Sequence, residues 1–131
     1  MNYLNDHRSS IIKLGKKIAY QRPCASRYTP EKDVLFDEIC DLIEVQRPQR
    51  KYERETALCC TGPIIRIKSE LAAEIQARNI RDAIECGADA LITLCPMCDR
   101  ILRRPTSELG LNKIHIIDLC RMALGEKLWP V

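Results

Sequence analysis

The sequence predicts an α/β fold, a mostly parallel sheet of about four strands with flanking helices. Three observations predict it. Short apolar runs alternate with amphipathic stretches along most of the chain. The run Ala90-Leu91-Ile92-Thr93-Leu94 is almost wholly apolar, as a strand covered on both faces must be. Glycines and prolines fall at the boundaries between these segments and nowhere gather into a linker.

Each element has its own signal. Residues 1–16 form a lead-in, with a short helix expected over Ser9–Lys17 ending near Gly15, and residues 17–131 form one α/β domain. Ile18-Ala19-Tyr20 is the first strand, ending at Pro23-Cys24. Thr29 caps a helix whose first position suits Pro30. Val34, Leu35, Ile39, Leu42 and Ile43 give that helix its apolar side, and Leu42–Val45 leads into a second strand. Arg47–Glu55 is charged, contains Pro48 and reads as a loop. Thr56-Ala57-Leu58 is a short strand running into Cys59-Cys60 and the turn pair Gly62-Pro63.

Ser69 caps a long helix through about Cys86, with Leu71, Ile75, Ile80, Ala83 and Ile84 on its apolar side and Gly87 as its stop. After the Ala90–Leu94 strand, a helix is expected from Cys98 to about Arg104, before Pro105. Lys113–Ile117 is the last strand. Asp118 caps a short helix over Leu119–Leu124 that ends at Gly125, and the Leu128–Val131 tail is surface or interface.

Composition narrows the function. The chain has 131 residues, 46% hydrophobic and 30% charged, the balance of a soluble folded domain. No run reaches the ~18 apolar residues of a membrane span. A net charge of +3 is too small to argue for nucleic acid. Met1–Asp6 contains no apolar signal core, so a cytoplasmic location is expected. The abnormal quantity is cysteine, eight residues of 131. In a reducing compartment such a content points to metal or thiol chemistry.

The cysteines are spaced in a pattern. Cys24 is followed by 34 residues, then Cys59-Cys60, then another 34, then Cys95-x-x-Cys98. One strand–helix–strand crossover takes about 30 or more residues. Each group therefore falls just past a strand, and in a parallel sheet those strand ends share one edge, the edge that binds ligands. Cys24, Cys59, Cys60, Cys95 and Cys98 are expected in one pocket. Thiolates suit soft iron, iron–sulfide and zinc, whereas Cys-x-x-Cys alone serves zinc, iron–sulfur and thiol redox sites alike. Cys40, Cys86 and Cys120 read as small hydrophobes on helices. Arg22, Arg27 and Arg100 flank the cysteines and could balance their charge. Arg100, Arg103 and Arg104 read as a solvated helix face, and His115 as a structural or surface histidine.

Tyr20-Gln21-Arg22-Pro23-Cys24-Ala25-Ser26-Arg27-Tyr28, Cys59-Cys60-Thr61-Gly62 and Cys95-Pro96-Met97-Cys98 together resemble the cysteine-rich CCG domain. That family includes the cysteine-rich component of heterodisulfide reductase and related components of glycolate oxidase, lactate-utilisation enzymes and thiol:fumarate reductase. Ile114-His115-Ile116-Ile117-Asp118 and Ala123-Leu124-Gly125 fit the same pattern. The resemblance implies a noncubane [4Fe-4S] cluster on Cys24, Cys59, Cys60, Cys95 and Cys98, in a domain or subunit of an oxidoreductase. Zinc, held by four of the five, is the alternative. The implied partners are other redox subunits carrying iron–sulfur or flavin groups, with a disulfide or thiol as substrate. A thiol–disulfide oxidoreductase using Cys95 and Cys98 alone is the third reading, and it leaves Cys24, Cys59 and Cys60 unused.

The chain departs from the family pattern at Thr61, where glycine usually follows the cysteine pair, which alters how closely the backbone approaches the site. It carries one such domain and no dense ferredoxin-type cysteine run, as expected of a fragment or of a small subunit that receives electrons from a partner.

Overall fold

The computed structural model describes residues 11–23, 26, 28–53, 56–62 and 68–130. Ser9, Ser10, Cys24, Arg27, Glu55, Pro63 and Val131, on which expectations above fall, lie outside the described residues.

Among the described residues three short strands form the sheet: β1 (Ile18–Gln21), β2 (Ala90–Thr93) and β3 (Asn112–His115). They pair in the order β1-β2-β3, all parallel. β1 and β2 are buried at every position, which explains their near-absence of polar alternation. Among the described residues four helices flank the sheet: α1 (Glu31–Ile43), α2 (Ser69–Glu85), α3 (Pro96–Leu109) and α4 (Ile116–Ala123).

Two cores form on opposite faces. Ile18, Tyr20, Ile92 and Ile114 point to one side and pack with Phe36, Cys40 and Ile43 of α1 and Leu119 and Met122 of α4. Ala19 and Leu91 point to the other and pack with Ile80 and Ala83 of α2 and Cys98 and Leu102 of α3. The fold is thus a three-layer α/β/α arrangement, as the sequence predicts.

Among the described residues the strand count is three, with a fourth reduced to a single bridge. Gln46 pairs in parallel with Lys17, on the edge of β1 away from β2. Its N–H donates to Lys16, and its carbonyl accepts from Ile18 at 2.8 Å. Pro48, two residues on, has no N–H to extend the ladder. Thr56–Leu58 forms no strand either. The Leu58 carbonyl is taken by the Gln21 side-chain amide at 2.9 Å, so a side chain stands where a ladder partner would.

Other boundaries also differ. Residues 11–16 are not helical, because Ile12 N–H donates to the Ala123 carbonyl and Leu14 N–H to the Ile43 carbonyl. α3 begins at Pro96 and runs through Pro105 to Leu109. Pro105 omits one helical bond, and the Thr106 hydroxyl bonds back to the Leu102 carbonyl at 2.7 Å, keeping the next turn closed. The last strand stops at His115, which caps α4 with its own ring; Asp118 lies in the first turn. α2 ends as expected before Gly87, at φ +85°. Trp129 packs on the first core under the Lys16 ammonium, while Leu128 is exposed.

The sheet has a topological switch at β1. The chain moves outward from β1 by way of α1 on one face, then returns by way of α2 on the other to place β2 on β1's opposite edge. The crevice at such a point, past the strand C-termini, is where open α/β sheets bind ligands.

Candidate metal centre

The three strands end level. Gln21 pairs with Thr93, and Thr93 with His115. Cys95 follows β2 by two residues and caps α3 in an extended conformation. Pro96 takes the first helical position, so Cys98 falls one turn in, buried beneath the sheet edge.

Four of the five cysteines singled out above are brought together. The Cys60 thiol lies against those of Cys59 and Cys98, and the Cys98 thiol against that of Cys95. The order in space is Cys59, Cys60, Cys98, Cys95. Among the described residues these contacts are pairwise, and no three such side chains group around one ion position. Cys60 and Cys98 are buried, and Cys59 and Cys95 half-buried. The set therefore opens toward solvent at both ends. Cys24 lies outside the described residues; its neighbours Pro23 and Ser26 line the groove beside Cys95.

The electrostatics are those of crowded thiols. The hydrogen bond from Cys98, with the backbone N–H of Gly62 and the thiol of Cys59, holds the Cys60 thiol below its ordinary pKa despite burial. Cys98, donating to Cys60, desolvated and beside Cys95, is pushed up. The Cys60 thiol therefore ionises more readily than that of Cys98. The donor set, all sulfur and shielded on the sheet side, fits a soft metal or an iron–sulfur group.

The Cys59–Cys60 turn is held by groups that the spacing of cysteines did not reveal. Thr61 has φ +76° and is fully buried. A β-branched residue in that left-handed region is strained, by about 1–3 kcal/mol. Its hydroxyl accepts from the Gln76 side-chain amide at 2.6 Å, and its N–H donates to the Cys59 sulfur at 3.2 Å. A Cβ on Gly62 would lie 2.6 Å from the Met97 sulfur, so this turn sits directly against the start of α3.

A buried polar chain anchors the segment before the pair. Asp82 accepts from Arg50 Nε at 2.8 Å, Arg50 donates to the side chain and carbonyl of Asn79, and Asn79 donates to Gln21 at 2.6 Å. Gln21 in turn holds the Leu58 carbonyl, one residue before Cys59. Gln76, Asn79 and Asp82 occupy the inward side of α2 with Ile80 and Ala83. Polar residues at that apolar spacing were the available signal.

β2 and α3 are fixed similarly. Asp99 accepts from Thr93 at 2.8 Å and pairs with Lys113, which sets the first turn around Cys98. His115 Nδ1 accepts from Ile117 N–H at 3.2 Å, which leaves Nε2 to donate to the Leu94 carbonyl at 3.0 Å, next to Cys95. His115 is structural, as its sequence context indicates. Arg22 pairs with Asp33 at 3.1 Å and donates to the Ser26 carbonyl, tying Ser26 and α1 to the end of β1. Arg100 is exposed, and Arg104 pairs along its own helix with Glu108.

Beside Cys95 lies a groove of about 460 Å³, walled by Pro23, Leu94, Ile116 and Ile117, with Lys32 at its polar edge. Cys40 and Cys86 make their contacts elsewhere. Cys40 is fully buried in the first core, and Cys86 donates to the Ala83 carbonyl within its own helix turn. No described helix is long and apolar enough to cross a membrane.

Residues 18–103 match a family model described as CCG, cysteine-rich domain. The match begins at β1 and ends inside α3, so it spans the switch point and every cysteine of the proposed set.

Proposed function

The chain belongs to the CCG cysteine-rich domain family, and on that premise we propose that it holds an iron–sulfur cluster for electron transfer and disulfide reduction in a heterodisulfide reductase-like complex. The observation that carries this reading is the run of thiols Cys59, Cys60, Cys98 and Cys95 at the ligand-binding edge of a parallel sheet. With Cys24 they make a five-sulfur set, and a noncubane [4Fe-4S] group is the form we assign to it.

A cluster there would supply single electrons, delivered by iron–sulfur or flavin partners. Reduction of a substrate disulfide breaks one S–S bond, takes up two electrons and two protons, and releases two thiols. The groove beside Cys95 offers apolar walls for such a substrate, with the Lys32 ammonium at its edge for a negative group. Water access is limited from the sheet side, where Ala19 and Leu91 close over Cys60 and Cys98. The backbone N–H groups of Thr61 and Gly62, aimed at the sulfurs, are the chain's means of tuning the potential.

The test is metal and acid-labile sulfide analysis, with visible and electron paramagnetic resonance spectra, on anaerobically purified protein. The reading predicts about four irons with matching sulfide, lost in a Cys59→Ser/Cys60→Ser variant. One zinc and no iron would replace it with a structural or docking role, since four thiolates suffice for a closed tetrahedral site.

A further inference from the structure

Thr61 is a β-branched residue in a conformation that glycine adopts freely, and the structure supplies one evident reason that it stays there. Gln76 reaches across from α2. Its side-chain nitrogen lies 2.6 Å from the Thr61 hydroxyl and 3.5 Å from the Cys60 carbonyl. Gln76 is itself buried, so its amide has been desolvated to make this contact. The left-handed turn at Thr61 directs successive N–H groups back toward the preceding sulfurs, Thr61 N–H to Cys59 and Gly62 N–H to Cys60. Successive amides in such a turn form an anion-binding concavity.

We propose that Gln76 is a positioning residue for the cysteine pair: its bond to Thr61 holds the turn that keeps two backbone N–H groups on the sulfurs of Cys59 and Cys60. The inference rests on the metal-centre reading for its functional consequence, but not for its geometry. Hydrogen bonds to ligand sulfurs help set metal affinity and redox potential. A glycine at 61 would adopt the turn unaided. The need for Gln76 is therefore conditional on threonine being there, and that condition separates positioning from simple packing.

The experiment compares wild type, Gln76→Met, Thr61→Gly and the double variant. Methionine keeps the side-chain volume and lacks the amide donor. Amide hydrogen exchange at Thr61 and Gly62 in the reduced, metal-free protein reads the turn itself. Cobalt(II) titration, followed by the thiolate-to-cobalt absorption, reads the consequence. Gln76→Met is expected to speed exchange at both amides and to weaken cobalt binding roughly 10–100-fold. In the Thr61→Gly background the same change is expected to alter both by less than about threefold, the signature of coupling between neighbours. Equal losses from Gln76→Met in both backgrounds, or no loss in either, would overturn the role of Gln76. Absence of any thiolate-to-cobalt band in the wild type would overturn the metal-centre reading and with it the functional consequence, while the exchange data would still decide the geometry.

Discussion

Arg50 and Asp82, 32 residues apart, form a buried ion pair at 2.8 Å, and Asp82 also accepts from the backbone N–H of Tyr52 at 3.0 Å. The Arg50 side chain is 1% exposed. The pair ties the loop after α1 to the inward face of α2, and through Asn79 and Gln21 it fixes Leu58 ahead of the cysteine pair. Removing one partner leaves the other charged and desolvated. Arg50→Met is expected to cost about 3–5 kcal/mol of stability, read by denaturant unfolding at neutral pH. A cost under about 1 kcal/mol would show that the pair does not anchor the loop.

The same pair sets a pH dependence. Burial alone would raise the Asp82 carboxyl, but the Tyr52 N–H, the Arg50 guanidinium and the Lys51 N–H outweigh it and hold the value below the ordinary one. The folded state thus binds this proton less tightly than the unfolded state. The stabilisation is complete above the unfolded value of about 4 and is lost as pH falls through the lower folded value. Asp82→Asn is expected to flatten the acid limb of the stability curve and to lower stability near neutrality. An acid limb of unchanged slope would contradict this.

Much of this architecture is legible in the sequence. The almost wholly apolar β2 run, the glycine-stopped α2 and the equal cysteine spacing lead to a parallel sheet with thiols at one edge, although α2 begins at Ser69 after Lys68 and has no side-chain cap. Less legible were the places where a side chain replaces backbone pairing. Gln21 occupies the Leu58 carbonyl, so the segment at 56–58 forms no strand. His115 caps α4 with its ring, so the helix starts earlier than Asp118 suggests. Pro105 reads as a stop, yet it lies in a helix whose neighbouring turns are already packed through Leu102 and Thr106. The buried polar chain through Arg50 was hidden because arginine in a charged, proline-containing loop reads as solvated.

His115 makes two bonds that set the path into Cys95. His115→Ala removes the cap on α4 and leaves the Leu94 carbonyl without its ring donor. A loss of about 1–2 kcal/mol is expected, with faster amide exchange at Ile117. His115→Asn, which retains a capping oxygen, is expected to recover the exchange protection at Ile117. Unchanged exchange in His115→Ala would remove the capping role.

Cys40 provides a contrast with the site thiols. It is wholly buried, and burial pushes its thiol up to about 11 against the opposing influence of Arg47. Thiolate is the reactive form, so alkylation of Cys40 at pH 8 is expected to proceed at the rate of unfolding. Mass spectrometry of iodoacetamide-labelled peptides against time reads this directly. Rapid labelling of Cys40 in folded protein would contradict its placement in the core.

Gly62 and Met97 test the contact between the cysteine turn and α3. Gly62→Ala places a Cβ against the Met97 sulfur, with the Cys60 sulfur at an ordinary 3.7 Å. Met97 is half exposed and can turn outward, so the cost is expected near 1 kcal/mol. Adding Met97→Ala should abolish that cost, as measured by a double-mutant cycle. Additive effects would mean that the two residues do not meet.

We propose that Cys24, Cys59, Cys60, Cys95 and Cys98 form one sulfur-ligated metal centre. X-ray absorption spectroscopy of the anaerobically purified protein, at the iron and zinc edges, tests it most directly. The expected result is an iron edge with a first shell of sulfur and a second shell of iron neighbours, both lost when Cys59 and Cys60 are replaced by serine. A first shell of nitrogen and oxygen, or a sulfur shell that survives those replacements, would contradict it.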